Sequence, residues 1–125
     1  LLNIIFGNSD NHGRNTSFLK KSGRIFLAPI YDFAPMKADP EVVTRSTTWG
    51  SPYEEGGEYR WEGITQNLAH WCEPHISLST LKILASKLLG LKQQLINKGV
   101  PQTIIDMPGL GYDFIEAKLS RWELL

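Results

Sequence analysis

Cysteine is almost absent from this 125-residue chain: Cys72 stands alone, so no disulfide within the chain can staple the fold. Its apolar helical surroundings make Cys72 a core residue on expectation, and the missing disulfide framework fits a reducing, cytoplasmic setting. An excess of charge is missing too. Thirteen Lys and Arg balance thirteen Asp and Glu, which removes any general pull toward nucleic acid or an anionic membrane. Lys20, Lys21 and Arg24 are too few to make a basic patch. No apolar run approaches the roughly 20 residues of a membrane span, and no signal peptide is expected. His12, His70 and His75 do not form a zinc set, because Pro74 interrupts the last two. Met107-Pro108-Gly109-Leu110-Gly111 lacks the Gly-Lys-Ser/Thr of a phosphate-binding loop and reads as a turn between helices. A DNA-reading helix is missing as well: the strongest helical segment carries only Lys82, Lys87 and Lys92 on a mainly apolar run. An initiator Met is also lacking. Leu1–Phe6 is almost wholly apolar with no cap before it, which reads as the broken end of a buried helix or strand and so as a fragment of a longer protein.

What is present is an ordinary globular composition, 42% hydrophobic, long enough for one domain with a real core. Gly7–Asn15 is crowded with Asn8, Asp10, Asn11 and Asn15, side chains that compete for nearby backbone and favour turns. Thr16–Leu19 and Arg24–Ala28 are short strand candidates around Lys21-Ser22-Gly23, a hairpin signal. Pro29 and Pro35 fix an extended segment between them. From Lys37 to Tyr59 periodicity fades into a long loop. Arg60–Glu73 predicts a helix that buries Trp61, Ile64, Leu68 and Trp71 or Cys72 and stops at Pro74. Thr80–Asn97 predicts the clearest helix, capped by Ser79, with Leu81, Leu84, Leu88, Leu91 and Leu95 as its apolar stripe and Ile83, Ala85 and Leu89 widening it. Tyr112–Trp122 predicts a last helix. The fold class is therefore α+β and mostly helical, in a single domain with a small hairpin.

One constellation carries chemistry. Residues 8–15 read Asn-Ser-Asp-Asn-His-Gly-Arg-Asn, and Asp32 follows Asn15 by 17 residues. Phosphoryl transfer needs a carboxylate to take the proton of an incoming hydroxyl, and hard oxygen ligands for a Mg²⁺ ion that bridges the phosphates. Asp10 can be the first; Asn15 and Asp32, one on each flank of the hairpin, can be the second. His12 and Arg14 are placed to meet a transferred phosphate. Asp-x-x-x-x-Asn followed by an Asp-Phe-x segment is the protein-kinase spacing, with Ala34 where a glycine would stand. The bland reading stays open at this point: Asn8, Asp10 and Asn11 could cap turns, and His12 could be structural.

The wider text resembles the HipA family of serine/threonine kinase toxins. Gly7–Asn15 is similar to its Asn-x-Asp-x-His-x-x-Asn catalytic loop. Leu27-Ala-Pro-Ile-Tyr-Asp-Phe-Ala-Pro-Met36 is similar to its Leu-x-Pro-x-Tyr-Asp metal segment, and Phe18 and Leu19 fall where apolar residues open the hairpin. The likeness is tight over residues 3–36 and looser beyond Lys37. The resemblance implies the C-terminal lobe of a protein-kinase-like fold. It implies Asp10 as catalytic base, with His12 and Asn15 in the catalytic loop. It implies Asn15 and Asp32 as Mg²⁺ ligands, and Asn8, His12, Arg14 and Asp32 around the nucleotide. It further implies transfer of the γ-phosphate of ATP to Ser or Thr of a protein, and a DNA-binding antitoxin as partner.

These 125 residues contain no Gly-rich phosphate-covering loop and no strand-borne Lys with a partner acid; Lys20 and Lys21 are poor substitutes. A second, N-terminal lobe, in cis or in trans, is expected to supply them, and the chain alone is expected to be inactive. The alternative function is a catalytically silent regulatory or interaction domain that kept the fold. Trp49, Tyr53, Tyr59 and Trp61 are expected to tuck the long loop onto the helices, a partner surface being the other reading. Thr44, Ser46, Thr47 and Thr48 lie where kinases keep an activation segment.

Overall fold

The computed structural model describes residues 1–41 and 43–125. The fold is α+β and mostly helical, and its contacts divide the chain into two compact units, Leu1–Thr47 and Thr48–Leu125. Among the described residues, no helix is long and apolar enough to cross a membrane.

The first unit opens with a single helical turn, α1 (Leu2–Ile5), whose Ile5 is buried. A 3₁₀ turn at Gly13–Asn15 leads into strand β1 (Phe18–Lys21), which pairs antiparallel with β2 (Arg24–Leu27) in the register Phe18↔Leu27 to Lys21↔Arg24. Ser22 and Gly23, both at positive φ, make the two-residue turn whose twist matches the strands. Both faces of this ribbon are open: Phe18, Ile25 and Leu27 on one are 67%, 70% and 68% exposed, and Leu19 and Phe26 on the other 52% and 49%. Two strands alone are marginal, so the order of the hairpin comes from its base. There the Ala28 amide donates to the Ser17 carbonyl at 2.8 Å. A second 3₁₀ turn, Met36–Ala38, closes the segment after the hairpin.

The second unit begins with a minute hairpin, β3 (Glu54–Glu55) and β4 (Glu58–Tyr59). It delivers Tyr59 and Trp61 into an aromatic core. Their rings stack at 5.4 Å, and Trp122 meets Tyr59 edge-on at 5.0 Å. The exposed Glu58 carboxylate accepts the Trp122 Nε1–H at 3.1 Å and pairs with Arg121 at 2.9 Å. The expected tucking of the long loop is thus true of Tyr59 and Trp61, both buried, while Trp49 remains exposed.

The helical boundaries depart from the sequence pattern in instructive ways. Helix α2 covers only Trp61–Asn67, and Pro74 opens the next helix, α3 (Pro74–Lys87), rather than ending the previous one. Proline suits a first helical position because the N–H it lacks would have had no partner there. Cys72 and Trp71 therefore fall in the α2–α3 turn and are exposed, Trp71 to 77%, not in the core as expected. Ser79 lies within α3, where its hydroxyl donates to the Ile76 carbonyl, and is not a cap. The predicted 80–97 helix is two: α3 ends at Lys87 and α4 (Leu91–Asn97) starts after Gly90, which sits at φ 65°. That left-handed conformation costs any residue with a Cβ and breaks the hydrogen-bond ladder. Leu88 and Leu91 of the stripe and Ala85 are buried, whereas Ile83 and Leu89 are exposed. The short helix α5 (Gln102–Ile105) precedes the Met107–Gly111 turn. The last predicted helix begins as a 3₁₀ turn, Tyr112–Phe114, and continues as α6 (Ile115–Arg121), burying Ile115 and Leu119.

Candidate active site

The site residues of the first unit are aimed by the end of α1. Gly7, at φ 68°, accepts the left-handed conformation that terminates a helix. Its amide donates to the Ile4 carbonyl and the Asn8 amide donates to the Asn3 carbonyl at 2.8 Å, the paired bonds of a Schellman cap. Asn8 reinforces the cap through its side chain, Nδ2 donating to Asn3 Oδ1 at 3.1 Å. Asn8 and Ser9 are each only 3% exposed, so Asn8 holds the loop from behind.

Asp10 then emerges partly exposed, with His12 Nε2 3.8 Å from its Oδ1. The 3₁₀ turn folds Asn15 back. Its amide donates to the His12 carbonyl at 3.0 Å, and its Nδ2 donates to the Asp10 carbonyl at 3.1 Å. Committing the amide nitrogen to the backbone fixes the side-chain orientation and leaves Oδ1, the better electron donor, for a cation. Asp10, His12 and Asn15 are thus brought together. Three polar atoms in this loop, Asn8 Oδ1, Ser9 Oγ and His12 Nδ1, are buried without a protein partner. So many unpaired groups in five residues cost stability and are characteristic of a segment shaped for chemistry.

The Asp32 segment is laid along this loop by contacts on both sides of Asp32. On one side, the Tyr31 hydroxyl donates to the Arg14 carbonyl at 2.6 Å and lies 2.7 Å from Ser17 Oγ. On the other, the Phe33 ring meets Phe6 edge-on at 5.7 Å, and the Lys37 amide donates to the Gly7 carbonyl at 2.9 Å. Asp32 itself is exposed, in the left-handed region at φ 53°. Arg14 contributes its carbonyl to this junction, with its side chain exposed. Farther on, Thr47 Oγ1 donates to the Asn11 carbonyl at 2.6 Å.

The donors suit Mg²⁺. An Asn amide oxygen and an exposed carboxylate are hard ligands, and Mg²⁺ typically takes one or two such groups and completes its shell with phosphate and water. Among the described residues, no group of three or more His, Cys, Asp or Glu side chains is placed to hold a metal on its own. A cavity of about 540 Å³ lies in the second unit beside Trp61, Lys82 and Trp122 and includes none of these residues.

The hydrogen bonds of Tyr31 and Ser17 escaped the sequence reading, as did the grip of Thr47 on the loop. Tyr31 was legible only as the letter before Asp32, because a hydroxyl's backbone partner 17 positions away leaves no local pattern. Compared with known proteins, residues 1–93 match the family model described as the HipA-like C-terminal domain. No curated protein and no solved structure matches the chain.

Proposed function

The chain belongs to the HipA-like C-terminal domain family, and from that premise we propose that it is the catalytic lobe of a protein serine/threonine kinase that transfers the γ-phosphate of ATP to a protein hydroxyl. The observation that carries this reading is the junction of the two segments. The Tyr31 hydroxyl on the Arg14 carbonyl, at 2.6 Å, ties the residue before Asp32 to the residue before Asn15. Loop 8–15 and the Asp32 segment therefore work as one surface.

On that surface Asp10 accepts the proton of the incoming Ser or Thr hydroxyl as its oxygen bonds to the γ-phosphorus, and the bond from that phosphorus to the departing ADP oxygen breaks. Asn15 Oδ1 and the Asp32 carboxylate are the residues that would hold Mg²⁺, which would supply Lewis-acid stabilisation of phosphate charge. His12, 3.8 Å from Asp10, donates toward the phosphoryl oxygens, and Arg14 adds positive charge beside them. Asn8 sustains the loop through Asn3.

Family membership supports placing the chain in a cytoplasmic toxin–antitoxin pair with a DNA-binding antitoxin. A nucleotide-covering lobe, in cis or in trans, completes the ATP site. The test is Asp10→Asn in the full-length protein. Phosphate transfer to an acceptor protein should fall by about 10²–10⁴-fold, the usual contribution of a general base, with the melting temperature unchanged. Retained transfer would remove Asp10 from this role. A full-length protein that bound no nucleotide with Mg²⁺ would instead favour the silent interaction domain.

A further inference from the structure

We propose that Tyr31, acting with Ser17, is a positioning residue that sets the spacing of the two metal-holding side chains; the inference rests on the kinase reading above. A phenol has one proton to give, and Tyr31 gives it to the Arg14 carbonyl at 2.6 Å. The Ser17 hydroxyl, 2.7 Å away, must therefore donate to the phenol oxygen rather than receive from it. The result is a directed chain, Ser17 to Tyr31 to the Arg14 carbonyl, with each hydroxyl orientation fixed by the next.

The two ends of this chain matter more than its strength. Arg14 is joined by one peptide bond to Asn15, whose amide is locked on the Asp10 carbonyl at 3.1 Å. Tyr31 is joined by one peptide bond to Asp32, which holds a left-handed φ of 53°. A ligand on that backbone is not kept in place by secondary structure, since no helix or strand covers residues 28–35. Packing of Phe33 on Phe6 restrains the far side, and the phenol restrains the near side. Removing the hydroxyl frees Asp32 to move against Asn15 while Asp10 and its loop stay where they are. Two ligands that must share one small, geometrically demanding ion are sensitive to such freedom.

The test is Mn²⁺ affinity, read by electron paramagnetic resonance on the full-length protein with a non-hydrolysable ATP analogue and independent of turnover. Wild type should bind, Asp32→Ala should not, and Tyr31→Phe should bind about tenfold more weakly, the loss of one or two structural hydrogen bonds. Ser17→Ala should shift affinity in the same direction by less. Added to Tyr31→Phe it should change nothing, because Ser17 acts only through the phenol. In turnover, Tyr31→Phe should raise the metal concentration needed for half-maximal rate, and saturating metal should restore kcat, which a merely structural role would not produce. Wild-type Mn²⁺ affinity in Tyr31→Phe, or in Ser17→Ala should the former fail to fold, would overturn the proposal and leave the kinase reading standing. A wild-type protein that binds no Mn²⁺ with the analogue would overturn both.

Discussion

At the scale of single residues, the conformation of Asp32 sets stability against chemistry. A side chain with a Cβ at φ 53° is held against its preference, and aspartate tolerates that region better than most residues because its short carboxylate can solvate the backbone locally. Its own carboxylate meets no partner among the described residues, so the strain is not repaid by a contact there. Conformational cost retained at a functional group is a recurring sign of preorganisation. Asp32→Ala keeps the Cβ and loses the carboxylate, and should destabilise the protein by about 1 kcal/mol. Asp32→Gly relieves the strain and should be at least as stable as wild type. Both should abolish Mn²⁺ binding with nucleotide. Denaturant unfolding of the two variants against wild type checks the ordering, and an Asp32→Gly less stable than Asp32→Ala would contradict it.

At the scale of elements, the chain shows why some boundaries were readable and others not. The hairpin was legible because Ser22-Gly23 between two short apolar-bearing runs is a local signal, and the strands lie within two residues of expectation. The Asn/Asp-rich loop was legible for the same reason. The break between α3 and α4 was not, since a glycine inside an apolar stripe is compatible with a continuous helix. What decides it is the left-handed turn at Gly90, whose amide also donates to the Glu116 carboxylate at 3.1 Å. Gly90→Ala should therefore cost about 1–2 kcal/mol, where the same change inside a continuous helix would gain about 1 kcal/mol; thermal unfolding separates the two signs. The exposure of Cys72 was hidden likewise, because Pro74 can end a helix or begin one, and only tertiary packing chooses. Another element-level link, between α4, α5 and the Tyr112–Phe114 turn, responds to pH. The Gln102 amide and then Lys92 hold the Asp106 carboxyl below its ordinary value, and Lys92 is raised in turn, chiefly by its hydrogen bond to Asp113 at 2.7 Å. A depressed carboxylate adds stability above its unfolded pKa and loses it as pH falls through the folded one. These groups are solvent-exposed, so the acid loss is small and screened by salt. Melting temperature measured from neutral pH to below about 4 should fall slightly less in Asp106→Asn than in wild type.

At the scale of the whole molecule, every candidate catalytic and metal-holding residue lies in Leu1–Thr47, while the aromatic and aliphatic core around Trp61, Trp122, Ile105 and Leu119 belongs to Thr48–Leu125. The family resemblance was legible because the residues that carry it are dense in sequence, eight positions of loop and one carboxylate. Which residues fill the core of Thr48–Leu125 was not, because burial is decided by partners far apart in the chain. The same distribution bounds what these residues do alone. An ATP site needs a cation on the α- and β-phosphates and backbone covering them. In the proposed reading this chain supplies the metal end, through Asn15 and Asp32, while its nearby lysines by sequence, Lys20 and Lys21 on β1 and Lys37 after Asp32, are exposed. A ligand that keeps most of its phosphate surface in water loses the desolvated electrostatic contacts that would give affinity. Calorimetry with Mg²⁺ on a polypeptide of these 125 residues should therefore find nucleotide binding weaker than micromolar, with Asp32→Ala removing what remains. Micromolar affinity that survived Asp32→Ala would mean the nucleotide sits elsewhere on the chain and would take the metal pair out of its proposed role.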